Sequence, residues 1–249
     1  LAGNYSNPSK VWASQSGVFT DFTVGAEADD GLAYTIAKAG YIRWIKGMKA
    51  LLLGTDNSEF TLSSEGGVIT PSDIVIEPQS AYGSLAHSPQ QVGNQALYVS
   101  PDGRKLRAMG YRFEESGWIS TDLTFASEHI TIPGIYQMTW AQNPENIIWA
   151  IDLSGNLISC TYDKANTIIG WAKHSFTDFE IVSVSAARFS GTDRVWIALW
   201  DPIQSKHSVC IMAGITAPDI YCDSSIRQDY STPTTTVTGL GHLEGRTVK

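Results

Sequence analysis

The chain has 249 residues, 43% of them hydrophobic and only 17% charged, with a formal net charge of −8. Length and apolar content suffice for one large domain with a real core. The acidic balance excludes a basic nucleic-acid groove as its main business, and no apolar run approaches the ~20 residues of a membrane span.

Taken in chain order, residues 1–40 are turn-rich. The opening carries neither the basic region nor the apolar stretch of a signal peptide. It begins on Leu1 rather than Met, so the chain reads as a piece of something longer. Residues 14–22 predict a tight strand–turn–strand, and 26–32 an acidic loop. Strands follow at 41–45, 51–54 and 59–62, with turns at Lys46-Gly47 and Asp56-Asn57. Residues 63–92 hold Gly66-Gly67, Pro71, Pro78 and Pro89 and read as a crossing between units. A hairpin spans 95–100 and 105–113 about the turn Pro101-Asp102-Gly103, where Pro presets φ and Gly accepts a positive one. A short helix is predicted over 121–130, capped by Thr121 or Asp122. Further strands are predicted at 147–151, 156–162, 167–172, 195–199 and 208–212. Residues 231–236, Ser-Thr-Pro-Thr-Thr-Thr, read as an extended linker.

Four of these strands are copies of one pattern, an apolar run ending in a polar turn. They begin at residues 51, 97, 148 and 195, which are 46, 51 and 47 residues apart, and Val11-Trp12-Ala13-Ser14 is a weaker fifth member. A period near ~40–50 residues in a β-rich chain signals a radial array in which each small sheet covers the next. The predicted fold is therefore all-β: an irregular or partial β-propeller of about five to seven blade-like antiparallel sheets. It occupies residues 1–230, and 231–249 form a linker or the start of a following segment. The repeated strands should hold equivalent places in their sheets. Alternate residues of 157–162 and 195–200 should be buried, as should Trp149 and Trp196.

The chemistry-bearing residues are dispersed. Cys160, Cys210 and Cys222 form no CxxC pair, so buried free thiols of a reducing compartment are expected rather than a zinc or redox site. His87, His129, His174, His207 and His242 form no HxH or HExxH pair. No P-loop, GxGxxG or GxSxG is present. Asp102-Gly103 and Asp152-Leu153-Ser154-Gly155 faintly resemble Asp-box turns of sialidase-like propellers, but no aromatic follows the glycine, so they read as structural turns. No catalytic, metal or cofactor residue is assigned. Gly103-Arg104-Lys105-Leu106-Arg107 is the one basic cluster. In a strand, Lys105 and Arg107 would share one face. Arg104, Lys105 and Arg107 are either a solvated edge that blocks pairing or a contact with an acidic neighbouring subunit.

Many weak motifs, in order, carry a resemblance. They are Ser14-Gln15-Ser16-Gly17 before Phe22, Ile42-Arg43-Trp44, Leu53-Gly54-Thr55 with Glu59-Phe60, and the basic cluster 103–107. Asp122-Leu123-Thr124 with Glu128-His129-Ile130, Asp152 and Gly155 with Tyr162, Gly170-Trp171 with His174, and His242-Leu243-Glu244-Gly245 continue the series. In this order and spacing, across most of residues 11–249, the chain resembles the tail nozzle, or tail tubular, proteins of short-tailed bacteriophages. The resemblance implies a structural virion protein without catalytic residues, located in the tail and assembled in the host cytoplasm. It implies identical subunits in a ring, commonly a hexamer, joined to a tail adaptor protein, with genomic DNA passing through the channel during ejection. Two other classes remain open on the residues alone. A propeller-fold glycan- or protein-binding module would need exposed aromatics on one rim. A glycoside hydrolase would need convergent carboxylates, commonly ~5–9.5 Å apart.

Overall fold

A computed structural model of the chain describes residues 3–174, 176 and 178–212. The predicted linker at 231–236, the segment 231–249, Cys222 and His242 lie outside the described residues. The rest is all-β, in five separate antiparallel sheets taken in chain order. The first pairs β1 (Lys10–Ala13) with β2 (Leu32–Thr35). The second is a meander of β3 (Ile42–Gly47), β4 (Leu51–Thr55), β5 (Glu59–Ser63) and β6 (Val75–Ser80). The third comprises β7 (Gln90–Val92), β8 (Gln95–Val99), β9 (Leu106–Arg112) and β10 (Gly117–Asp122). The fourth runs β11 (Ile135–Ala141), β12 (Ile147–Asp152), β13 (Leu157–Asp163) and β14 (Ile168–His174). The fifth has three strands, β15 (Glu180–Phe189), β16 (Thr192–Asp201) and β17 (Lys206–Ile211).

The repeated sequence pattern marks one structural position. Strands β4, β8, β12 and β16 are each the second strand of their own meander. Each ends in a buried polar residue, Thr55, Asp152 or Asp201, or, in β8, is followed by one, Ser100. Their side chains accept hydrogen bonds from backbone N–H groups of the turn that follows. Thr55 Oγ1 accepts from Ser58 N at 3.0 Å, and Ser100 Oγ from Lys105 N at 3.1 Å. Asp152 Oδ1 accepts from Ser154 N and Asn156 N, both at 2.9 Å, and Asp201 Oδ1 from Ile203 N at 2.9 Å. A tight turn leaves these donors without a ladder partner, and the side-chain oxygen supplies one. Gly103 and Gly155 close two of the turns at φ +74° and +75°, a region that costs a side chain strain.

The same turns stitch successive sheets together. The carbonyl of Gly103 accepts from Ile135 N at 2.7 Å, at the start of β11, and that of Gly155 from Ile181 N at 3.1 Å, in β15. Thr55 O accepts from Ser84 N at 2.7 Å on the way to the third sheet.

Four apolar clusters fill the spaces between neighbours, one per interface. Val11 and Ile36 pack with Leu53, Phe60 and Leu62 between the first and second sheets. Trp44 and Leu52 meet Ala96, Tyr98 and Met109 between the second and third. Leu97, Val99 and Leu106 meet Ile148, Ala150 and Ile158 between the third and fourth. Trp149, Ile151 and Leu157 meet Ile181, Val184 and Ile197 between the fourth and fifth. Counting back from the turn residue, odd positions face the following sheet and even ones the preceding sheet, as the period of two demands. Because an interior sheet is covered on both faces, its second strand, as over 51–53, 96–99 and 148–151, is apolar on both sides. Leu157 and Ile158 are both fully buried, where strict alternation was predicted. No cluster joins the first sheet to the fifth among the described residues.

The structure departs from the sequence reading at further places. The helix predicted over 121–130 is only a 3-10 turn at Glu128–Ile130, and Asp122 ends β10. The Asp122 carboxylate accepts from both the N–H and the hydroxyl of Thr124, a local turn that competes with a helix too short to repay its nucleation. The crossing at 63–92 contains β6 and β7. Pro78 sits in β6, which is an edge strand and needs no second ladder donor there. Residues 14–22 form a turn with a lone bridge from Gln15 to Val18. Trp149 is buried at 8% exposure as predicted, whereas Trp196 is 39% exposed, because its side of β16 faces away from the fourth sheet.

Candidate functional site

The basic segment does not form one patch. Arg104 and Lys105 lie in the turn before β9, and Arg107 is the second residue of that strand. Lys105 reaches back over the sheet, with Nζ 3.2 Å from Asp122 Oδ2 and 3.0 Å from Glu128 Oε1. These two carboxylates raise the Lys105 ammonium above its usual value, through hydrogen bonds first. Burial alone would raise Asp122, but hydrogen bonds from Thr124 and Lys105 outweigh it and hold the carboxyl below the usual range. Arg107 lies on the face that meets the second sheet, its guanidinium carbon 3.5 Å from the centre of the Tyr82 ring. Its Nε is buried without a hydrogen-bond partner. Arg104 is exposed, and no ion pair of its side chain is recorded among the described residues. Two of the three cations are thus engaged inside their own chain, and Arg104 is the one turned outward.

A polar cluster that the sequence reading passed over lies beside Arg107. Glu59, the first residue of β5, is fully buried between the second and third sheets. Its oxygens accept from the hydroxyls of Ser80 at 2.5 Å and Ser84 at 2.9 Å. Burial pushes its carboxyl up, against the pull of those hydrogen bonds, a backbone bond from Tyr82 and the charge of Arg107. Tyr98, from β8, lies 2.6 Å from Ser120 Oγ, and its hydroxyl is pushed up by burial and by Glu59. Trp44 stacks tilted on Tyr98 at 5.4 Å and lies over Gly54, where a Cβ would come within 2.1 Å of the indole. A charged residue opening an otherwise apolar strand, Glu59-Phe60-Thr61-Leu62, was the signal for this cluster.

The oxygens of Glu59 accept from serine hydroxyls and the side chain has no exposure, so the carboxyl ties β5 to β6 through Ser80 and to the segment leading into the third sheet through Ser84. A raised carboxyl has a definite sign. The folded state binds the proton more tightly, so Glu59 costs stability as pH rises from the unfolded carboxyl range through its folded value, then stays flat. Glu59→Gln is therefore expected to gain stability relative to the parent as pH rises across that window. Parallel urea curves for the two proteins at several pH values measure it, and a constant difference would refute the raised carboxyl.

Elsewhere the titratable groups are scattered. No group of three His, Cys, Asp or Glu side chains that could hold a metal occurs among the described residues. Cys160 is buried as expected, with its thiol pushed up to about 12 by burial, whereas Cys210, expected to be buried, is exposed because β17 is the outer strand of the fifth sheet. His174 meets Ser159 Oγ at 2.9 Å, and burial lowers its pKa. His207 stacks on Trp200 at 4.6 Å. Asp152 accepts hydrogen bonds from Ser154 and Asn156 within its own turn, and Asp102 accepts from Ser100 and Arg104 in its turn. A cavity of about 410 Å³ between the first two sheets is lined by Val11, Trp12, Ile45, Leu51 and Leu62, with Asp29 and Asp30. No helix of the described residues is long and apolar enough to cross a membrane.

No family model matches the chain, and no curated protein matches it. Among solved structures, it is similar to a protein from Lactobacillus plantarum determined by the Northeast Structural Genomics Consortium. The identity is 9% and the TM-score 0.31, with 81% of each chain covered. A likeness at that level carries no argument about fold or activity.

Proposed function

We propose that this chain is a structural protein of a phage tail, part of the nozzle ring through which the genome passes, and not an enzyme. The observation that carries the reading is the order and spacing of motifs across residues 11–249 that resemble the tail nozzle proteins. The five stacked sheets support it as blades of an irregular, open β-propeller. A surface with a net charge of −8 repels DNA and suits a conduit rather than a grip. Its partners on this reading are identical subunits around an axis, commonly six in the family it resembles, and a tail adaptor protein. Its location is the virion tail. Arg104 is the outward cation for an acidic neighbour, while Lys105 and Arg107 contribute through the segment they fix.

Electron microscopy of the purified full chain tests this directly. Rings with a central channel are expected, together with no turnover of glycosides and an unchanged melting temperature in EDTA. Arg104→Glu should weaken the rings. Unchanged rings in that variant would remove Arg104 from the interface and leave the nozzle reading. Glycoside turnover abolished by one carboxylate substitution would overturn the structural reading.

A further inference from the structure

The position four residues before each turn residue faces the preceding sheet. Ala96 in β8, Ile148 in β12 and Ile197 in β16 hold it, and all three are buried. Their counterpart in β4, Leu51, is only half-buried. The sheet that covers it is too narrow. The first sheet has two strands of four residues each, whereas the second has four strands. Two strands at a spacing of ~4.8 Å cover about half the width of four. The shortfall is a cavity of about 410 Å³, within the range of small-molecule sites. Ile45, Leu51 and Leu62 of the second sheet line it from one side, and Val11, Trp12 and Leu32 of the first sheet from the other. Leu51 and Leu62 are register partners, so they present one continuous apolar floor. Such a floor offers water no hydrogen bond, and water in a cavity needs about two to four of them.

The charged part of the lining is acidic. Asp29 and Asp30 border the cavity, and among the described residues no Lys, Arg or His lines it. Asp29 is exposed, and among the described residues its carboxylate has no hydrogen bond or ion pair. The loop that carries both carboxylates is held in place. Asp29 O accepts from Ser16 N at 2.8 Å, and Asp30 Oδ2 from Glu27 N at 2.9 Å. Lys10 stands over the Trp12 ring at 5.4 Å but is not part of the lining. Carboxylates on the solvent side of an apolar hollow complement a positive charge carried on an apolar body. We propose that the cavity between the first and second sheets binds a small organic cation, an ammonium group on an aromatic or aliphatic body. The body lies against Leu51 and Leu62, and the ammonium meets Asp29 and Asp30. The net charge of −8 draws such cations in and turns anions away. The site lies within one copy of the chain, so the inference does not depend on the ring reading.

The test titrates the full chain by calorimetry with three probes of one shape: 2-(1-naphthyl)ethylammonium, 2-(1-naphthyl)ethanol and 3-(1-naphthyl)propionate. The ammonium is expected to bind, the alcohol to bind about fivefold more weakly, and the propionate not to bind. Asp29→Asn should weaken the ammonium about threefold, the scale of an exposed ion pair, and leave the alcohol unchanged. Ala28→Trp, at an exposed residue of the lining, fills the mouth and should abolish the binding of both. Far-UV circular dichroism and denaturation midpoints confirm that both variants are folded. Equal affinity for ammonium and alcohol overturns the cationic ligand. An Asp29→Asn variant that keeps the full preference overturns the place given to its charge. Undiminished binding in Ala28→Trp puts the probe elsewhere and overturns the cavity. A parent that binds none of the probes overturns the proposal, and binding that appears only on dilution makes a second copy the occupant and overturns it too. Rings are scored separately by microscopy, so none of these results bears on the ring reading.

Discussion

Trp149→Ala should cost about 3–5 kcal/mol, the range for a large aromatic removed from a packed core, whereas Trp196→Ala in the dissociated chain should cost less than about 1 kcal/mol. The two tryptophans occupy the same kind of strand, and sequence alone does not separate them. Trp149 projects from β12 into the space filled by Ile151, Leu157, Ile181, Val184 and Ile197. Its ring lies tilted against that of His174 at 5.6 Å. Removing it opens a void between two sheets that are tied by backbone bonds, such as Gly155 O to Ile181 N, and so cannot simply close up. Trp196 stands on the opposite side from this cluster, and its loss empties no enclosed space. Urea denaturation at low protein concentration checks both, with the midpoint shift read at constant slope. Equal large shifts would show that the outer face of the fifth sheet is covered in the monomer. Equal small shifts would show that the fourth and fifth sheets do not pack as described.

The second strands were legible in the sequence because they are covered on both sides and end at a polar turn. Leu51-Leu52-Leu53 and Ile147-Ile148-Trp149-Ala150-Ile151 leave little alternative to a buried strand. The first strands of the last three sheets, β7, β11 and β15, were not legible, and β11 gives the reason. Gln137 and Thr139 accept hydrogen bonds from the backbone N–H groups of Val184 and Ala186 in the next sheet. Polar side chains spent on sheet-to-sheet bonds break the apolar alternation that identifies a strand. Strand β7, Gln-Gln-Val, is too short and polar for any periodicity to register.

The polar sites were legible only in part, for a related reason. Arg104, Lys105 and Arg107 stand out as a linear cluster, yet the partners of Lys105, Asp122 and Glu128, and that of Arg107, Tyr82, come from separate segments. Glu59 shows locally only as a charge opening an apolar strand, and nothing in that stretch shows that Ser80 and Ser84 will enclose it. Chain neighbours reveal turns, whereas cross-sheet neighbours must be folded to be seen. The turn residues are the case where the local sequence sufficed, because Asp152 finds most of its hydrogen-bond partners within four residues.

Asp152→Ala should cost about 2–4 kcal/mol, the scale for removing a buried, charge-assisted acceptor from several donors. Asp152 is 1% exposed. Its Oδ1 accepts from the backbone of Ser154 and Asn156 and from Asn156 Nδ2, while Oδ2 accepts again from Asn156 Nδ2 at 2.9 Å. Lys173 Nζ lies 3.6 Å from Oδ2 and can turn to water when the carboxylate is lost, because it is partly exposed. The backbone donors cannot turn away: Gly155 must stay at its positive φ for its carbonyl to meet Ile181. Loss of the acceptor is therefore felt at the junction with the fifth sheet as well as in the turn. Asp152→Asn keeps one carbonyl oxygen for the backbone donors and should cost about 1 kcal/mol, close to a single net hydrogen bond. Asp201→Ala removes the equivalent acceptor from the outermost turn, where no described sheet follows, and should fall between the two. Hydrogen exchange at Ser154, Asn156 and Ile181 reads the effect locally. Faster exchange at all three in Asp152→Ala is the expected result, and a change confined to Ser154 and Asn156 would show that the turn does not transmit to the next sheet.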